Sequence, residues 1–230
     1  MIKEAIILAG GMGTRLKSVI TEIPKPMAPV GERPFLGIIL DSLNDQGIEH
    51  VILSVGYKYE VIKECFGKKY KDIQIDYAIE ETPLGTGGAV SLALAQLNGN
   101  DFFMMNGDTL FDVDLNAFSK FHFDHKSNLS LALKPVTNQD RYGLVKIDNT
   151  QRIVEFDEKQ AIAQGLINGG LYASSKKFIK SLQLPTIYSW EKEVLEKQAS
   201  KARMFGFETD SYFIDIGIPS DYAKAQVELG

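Results

Sequence analysis

A chain of 230 residues, 44% hydrophobic and 24% charged, has the composition of a globular protein with one substantial core, and disorder is excluded as its default state. The formal net charge of −5 argues against a general nucleic-acid or anionic-membrane binder, which needs a cationic surface, so any phosphate ligand must be met by a few local cations. No apolar run reaches the length of a membrane span, no signal-peptide pattern opens the sequence, and the single Cys65 fits a reducing compartment, which together place the protein in the cytoplasm.

Residues 5–8 form a short apolar run of the kind that makes a buried strand, and similar runs recur at 51–55, 73–78 and 102–105. Between them, residues 35–43, 59–66 and 87–97 carry apolar side chains at helical spacing. The order β-α-β-α-β-α-β predicts a doubly wound, mainly parallel, Rossmann-like α/β sheet over residues 1–110. Beyond Asp108 the pattern is mixed: a helix over 115–123, strands at 129–134, 143–147 and 166–173, helices over 175–182 and 190–198, strands at 202–207 and 211–216, and a last helix from Pro219. Residues 1–230 read as one domain, with 1–110 and 111–230 as its two halves. Cys65, in a helical pattern, reads as a packing residue, and His50, His122 and His125, lacking metal or triad spacing, read as surface or helix-packing histidines.

The first strand runs into Ala9-Gly10-Gly11-Met12-Gly13-Thr14-Arg15-Leu16, where small residues let backbone N–H groups approach an anion. A dinucleotide fingerprint would need glycine where Leu16 stands, and a Walker loop would need Gly-Lys-Ser/Thr. Pro24-Lys25-Pro26 presents a lysine from a stiff extended segment, so Arg15 and Lys25 can converge on one polyphosphate; a tight turn with a solvated arginine and lysine is the alternative. Asp108 and Asp215 each follow a strand. Two such carboxylates, completed by phosphate oxygens and waters, suit Mg²⁺, although either alone would serve equally as a turn or cap residue.

The run from Leu8 to Leu16 with Pro24-Lys25-Pro26 resembles the signature of the sugar-phosphate nucleotidyltransferases. The likeness continues in the family's order through Pro83-Leu84-Gly85-Thr86-Gly87-Gly88, Asn106-Gly107-Asp108, Glu158-Lys159, Asn168-Gly169-Gly170 and Asp215-Ile216-Gly217, over nearly the whole chain. It implies an enzyme that joins a nucleoside triphosphate to a sugar 1-phosphate and releases pyrophosphate. Two polyanions must then be brought together, and unit charges about 4 Å apart repel by roughly 4 kcal/mol at an effective dielectric of 20, so cations, loop amides and metal-holding carboxylates are the parts to seek.

The resemblance implies Arg15, Lys25, Asp108, Lys159 and Asp215 as catalytic residues, with Asp108 and Asp215 holding Mg²⁺. It gives Leu8, Gly10, Gly11, Gly13, Thr14, Arg15, Lys25, Glu80, Gly85 and Thr86 to the nucleotide, and Gly143, Glu158, Lys159, Asn168 and Gly169 to the sugar phosphate. Glu80 stands where thymidylyl and some uridylyl members carry glutamine. A carboxylate only accepts hydrogen bonds, and guanine offers adjacent N1–H and N2–H donors where uracil offers one ring N–H, so GTP is favoured; a solvated strand-end glutamate is the alternative.

Within the family, Pro24-Lys25-Pro26-Met27-Ala28-Pro29, Tyr57-Lys58-Tyr59-Glu60-Val61-Ile62-Lys63, Asp140-Arg141-Tyr142-Gly143, Gly165-Leu166-Ile167-Asn168-Gly169-Gly170 and Tyr212-Phe213-Ile214-Asp215-Ile216-Gly217 are most similar to guanylyl members that act on D-glycero-α-D-manno-heptose 1-phosphate. This implies GTP and that heptose phosphate as substrates, and a place in bacterial capsule or lipopolysaccharide synthesis. Mannose-1-phosphate guanylyl and sugar-1-phosphate uridylyl members are the alternatives on the same scaffold. A non-catalytic nucleotide-sugar sensor would have no need of Lys25 with both aspartates. No nucleic-acid or membrane partner is expected, and a homo-oligomer is left open.

Overall fold

Strands that are apolar on both faces need covering on both, and the first half of the chain supplies helices to do it. The computed structural model describes residues 1–11, 23–139, 143–156 and 162–230. Strand β1 (Glu4–Leu8) precedes a 3₁₀ turn (Lys25–Met27), a small hairpin of β2 (Pro29–Val30) and β3 (Arg33–Pro34), and helix α1 (Phe35–Asp45). Then come β4 (His50–Val55), α2 (Tyr59–Phe66), β5 (Lys69–Tyr70), β6 (Ile73–Ile79), α3 (Gly85–Ala93) and β7 (Asp101–Asn106). The second half holds β8 (Thr109–Phe111), α4 (Leu115–Asp124), β9 (Leu129–Gln139), β10 (Val145–Ile147), β11 (Ile153–Phe156), β12 (Ile162–Ser175) and α5 (Lys176–Ser181). A π-helical turn (Glu191–Glu196), β13 (Met204–Glu208), β14 (Phe213–Asp215) and α6 (Pro219–Leu229) complete it.

Eight strands form one sheet in the order β13-β9-β12-β7-β1-β4-β6-β5. β7, β1, β4 and β6 are parallel, as are β13 and β9, while β12 runs antiparallel to both its neighbours and β5 antiparallel to β6. The sheet is therefore mainly parallel with a mixed second half. Period-two alternation sorts its side chains: Ile7, Leu53 and Met105 pack with Leu36 and Leu40 of α1 and Ile62 of α2, while Ile6, Ile52 and Met104 pack with Val90 and Ala93 of α3. Helix α3 carries the chain back across β6, β4 and β1 to place β7 on the far side of β1. That reversal of strand order opens a crevice at the carboxyl ends of β1 and β7.

Several local expectations change. Lys25 is not in an extended segment: it opens the 3₁₀ turn, closed by Met27 N–H to Pro24 O at 2.8 Å and Ala28 N–H to Lys25 O at 3.0 Å. The missing N–H groups and fixed φ of the two prolines suit a tight turn as well as an extended run. Helix α3 starts two residues early, inside the glycine motif, and the strand at 166–173 extends to β12 with a register break between Asn168 and Tyr172. Cys65 is exposed rather than packed, and partial desolvation pushes its thiol up, away from nucleophilic reactivity. His50 lies buried on a strand, its Nδ1 2.7 Å from Glu4 and its Nε2 2.9 Å from Asp76. Among the described residues no helix is long and apolar enough to cross a membrane.

His122 does pack inside, on α4, with Nδ1 2.9 Å from the buried Ser130 hydroxyl. Burial lowers its pKa from 6.5 to about 4, so the unfolded chain binds more protons between those values. The stability gained by keeping this ring neutral is complete above the unfolded value and is lost as pH falls toward 4, at up to about 1.4 kcal/mol per pH unit. Denaturant midpoints followed across that window should show this slope in the wild type and lose it in His122→Asn; parallel curves would remove His122 from the acid response.

Candidate active site

Four parallel strands deliver side chains to one edge. β1 ends at Leu8 and leads to Gly10 and Gly11, β4 leads to Gly56 and Tyr57, β6 to Glu80, and β7 to Asn106 and Asp108. These line an open cleft of about 810 Å³, walled on one side by Gly85, Thr86 and Ala89 around the start of α3 and by Glu191. Such a volume suits a nucleotide-sized ligand.

At one end lies a charged trio. The three-residue pairing of β8 with β14 sets Asp215 opposite Thr109, and Ile216 N–H donates to Asp108 O at 3.0 Å, so backbone hydrogen bonds hold Asp108 and Asp215 side by side. Gly217 N–H donates to Asp215 Oδ1 at 2.7 Å and Thr109 Oγ1 to Asp108 Oδ1 at 3.2 Å. Lys25 Nζ donates to Asp108 Oδ2 and lies 3.9 Å from Asp215 Oδ1. Two carboxylates forced together by a ladder would repel, and the lysine offsets this. Among the described residues no cluster of three or more His, Cys, Asp or Glu forms a ready-made metal cage.

At the other end stands Glu80. Its Oε2 accepts from Leu84 N–H at 3.0 Å, which fixes the 80–84 turn, and its Oε1 sits so close to Gly10 that a Cβ there would fall 2.8 Å away. The carboxylate is thus aimed at the cleft between β1 and α3. Gly85 and Thr86 line the cleft too, yet their surroundings explain them differently from the expectation of nucleotide contact alone. Tyr188 O accepts from Gly87 N–H at 3.0 Å and Gly88 N–H at 3.4 Å, while Tyr188 N–H donates to Leu84 O at 3.0 Å. A Cβ on Gly85 (φ +74°) would meet Tyr188 O at 2.6 Å, and one on Gly87 would overlap the Tyr188 ring. The Thr86 hydroxyl donates to Glu191 Oε2 at 2.9 Å and accepts from Trp190 N–H at 2.9 Å. The glycine motif is therefore also a socket for residues 186–191, and the N–H groups of Gly87 and Gly88 in the first turn of α3 are spent there.

Of the residues assigned to the sugar phosphate, Asn168 lies at the register break of β12, where its Nδ2 donates to Tyr172 Oη at 2.6 Å and its Oδ1 accepts from Gly170 N–H at 3.0 Å. Burial pushes the Tyr172 phenol up, so it stays neutral. Gly169 is buried beneath the Phe111 ring, away from the cleft surface. Gly143 adjoins Leu144, which bridges to Ile167, so it lies beside Asn168 along the chain's path. Gly13, Thr14, Arg15, Glu158 and Lys159 lie outside the described residues. Sequence reasoning missed Tyr188 and Glu191: a serine before a helical pattern marks a helix start, but nothing in the string tells which glycines it meets.

A family model described as Nucleotidyl transferase matches residues 4–230. The chain is 49% identical over 226 residues to a D-glycero-α-D-manno-heptose 1-phosphate guanylyltransferase of Aneurinibacillus thermoaerophilus, covering 98% of each chain. It is 47% identical to the protein of the same description from Campylobacter jejuni, covering 95% of this chain and 96% of that one. The crystal structure of HddC from Yersinia pseudotuberculosis complexed with GMP-PN superposes with a TM-score of 0.89 at 38% identity over the full length of both chains.

The socket can be tested apart from chemistry. Gly87→Ala must displace the Tyr188 ring or the start of α3, and overpacking of this kind costs about 1–3 kcal/mol. Denaturant unfolding should show a midpoint shift of that size, whereas alanine at the exposed Gly67→Ala control tests the left-handed backbone alone (φ +60°) with no neighbour within 4 Å. An unshifted Gly87→Ala midpoint would mean that residues 186–191 are not seated on α3 as described.

Proposed function

The chain belongs to the nucleotidyl transferase family, and from that membership we propose that it condenses GTP with D-glycero-α-D-manno-heptose 1-phosphate to give the GDP-heptose and pyrophosphate. The observation that carries the chemistry is the trio of Lys25, Asp108 and Asp215 at one end of the cleft, with the carboxylate of Glu80 at the other. A triphosphate needs cationic help where its phosphates lie, and a base with adjacent N–H donors needs an acceptor. That Glu80 lines the same cleft as Asp108, to which Lys25 is paired, supports this reading. GTP is a cytoplasmic metabolite, and we place the reaction there.

The donor set fits a divalent cation. Asp108 and Asp215 offer hard carboxylate oxygens held together by backbone hydrogen bonds, Asp108 on the cleft and neither side chain fully buried, and Mg²⁺ prefers one or two carboxylates with substrate phosphates and waters over an all-protein cage. Held there, Mg²⁺ would supply Lewis-acid neutralisation of the phosphates around the reacting phosphorus. Lys25 neutralises charge on the departing pyrophosphate, a part it shares with Arg15, while Lys159 receives the attacking phosphate of the sugar and Glu158 its hydroxyls. Gly10, Gly11, Gly13 and Thr14 offer backbone and hydroxyl donors to the triphosphate. Leu8 and Gly85 flank the base, and Gly143, Asn168 and Gly169 shape the sugar side. No general base is required, because the nucleophile is already an ionised phosphate oxygen.

A pyrophosphate-release screen of GTP, UTP, ATP and dTTP against heptose, mannose, glucose and N-acetylhexosamine 1-phosphates tests the substrates, and the highest kcat/KM is expected for GTP with the heptose phosphate. Asp108→Asn and Asp215→Asn should each abolish most turnover while leaving the unfolding midpoint in place. Lys25→Met, which removes the ammonium from between the carboxylates, should impair turnover yet tighten Mn²⁺ binding to the nucleotide-free protein by paramagnetic resonance. Near-wild-type turnover in both asparagine variants at limiting Mg²⁺ would end the metal assignment.

Glu80→Gln refines the base assignment. The amide oxygen can keep the Leu84 N–H bond, which turns the NH₂ toward the base and sets donor against donor for guanine. The expected loss is about 1–3 kcal/mol in kcat/KM for GTP, with UTP or dTTP use unchanged or improved. An unaltered preference among the three would place base reading elsewhere.

A further inference from the structure

A buried hydroxyl that makes no hydrogen bond is a standing cost to the folded state, and native proteins keep few of them. Among the described residues the buried side-chain polar atoms without a partner are Ser54 Oγ and Trp190 Nε1. Trp190 is enclosed in the core beside Tyr172 and does not itself line the cleft. Ser54 differs, because it also lines the nucleotide cleft.

Ser54 is the one polar residue between Val51 and Val55 of a strand that is buried throughout. In register it lies between Leu8 of β1 and Ala78 of β6, on the face that Ile52 and Ala78 turn toward α3. Its backbone carbonyl is engaged, accepting from Ala9 N–H at 2.8 Å, while the hydroxyl is left without a partner. Leu8, Ala89 and Glu80 border the same part of the cleft. In the sheet Ser54 is flanked by the apolar Leu8 and Ala78, and the Glu80 carboxylate lines the same cleft.

We propose that Ser54 is a specificity-determining residue whose hydroxyl donates to the nucleobase of the bound nucleotide. The inference deepens the guanylyl reading and rests on it. If Glu80 takes the N1–H and N2–H donors, the remaining groups on guanine's edges are the acceptors O6 and N7, and a serine hydroxyl is the neutral donor that suits them. An alanine here would fill the strand position without a stranded hydroxyl, so the free protein gains nothing from serine. The bound complex does.

Ser54→Ala supplies the test, because the two roles open to this hydroxyl predict opposite signs. As a base ligand, its removal leaves the unfolding midpoint of the free protein unchanged or raised, while GTP affinity measured calorimetrically without sugar phosphate falls about three- to tenfold. In turnover the loss should appear in KM for GTP, with KM for the sugar phosphate unmoved. Ser54→Cys, a weaker donor of similar size, should fall between. 7-Deaza-GTP, which lacks N7, and 6-thio-GTP, which keeps N1–H and N2–H but replaces O6 by a weak acceptor, identify the acceptor, since the analogue lacking it should bind wild type and Ser54→Ala nearly equally. A lowered midpoint with unchanged GTP affinity overturns the proposal. If the wild type prefers UTP, the guanine reading fails, and the same pair of measurements on UTP still decides whether Ser54 touches the base.

Discussion

The constraint on which this molecule turns is the reversal of strand order at β1. A parallel sheet apolar on both faces must be covered on both, so α1 and α2 lie on one side and α3 on the other, and the crossover through α3 has to land on the opposite edge of β1. Where the two directions of winding part, the ends of β1 and β7 have no crossover above them. Gly10, Glu80, Asn106 and Asp108 all open into that gap. The site is a consequence of how the sheet is covered, and the glycine-rich segments lie where four strand ends and a helix start crowd one rim.

Charge is managed at the same rim by short backbone pairings. Asp108 and Asp215 are brought together by β8 and β14, and Lys25 reaches them from a turn whose backbone is fixed between two prolines. The C-terminal helix α6 ties these parts to one another. It begins just after Gly217, and its Tyr222 and Gln226 side chains donate to Pro29 O while Gln226 Oε1 accepts from Gly31 N–H at 3.1 Å. One helix thus braces the segment bearing Asp215 and the hairpin that follows Lys25. The lysine side chain that reaches the carboxylates is a long arm ending in a compact ammonium.

Much of this was legible in the sequence. Helix α2 matches its apolar spacing residue for residue, the β-α-β order gave the parallel half, and the strand-end positions of Asp108 and Asp215 followed from the runs before them. What could not be read was contact across distance. Periodicity says that Thr86 starts a helix but not that its hydroxyl meets Glu191, and it leaves Ser54 as one polar letter in an apolar strand. The prolines around Lys25 restrict φ without choosing between an extended run and a 3₁₀ turn. His50 looked like a surface residue because its carboxylate partners, Glu4 and Asp76, come from two other strands. In each case the missing information was tertiary.

The three-residue pairing of β8 with β14 also carries a consequence in time. It joins chain positions nearly half the length of the protein apart, and such non-local pairing must bear its loop-closure entropy before its contacts give anything back. During synthesis the strands from β1 to β7, and the cleft rim they form, can be complete while Asp215 is still to be made. The nucleotide half can therefore assemble ahead of the carboxylate pair. The pair of aspartates is complete only once the last strand and the helix that braces it are in place.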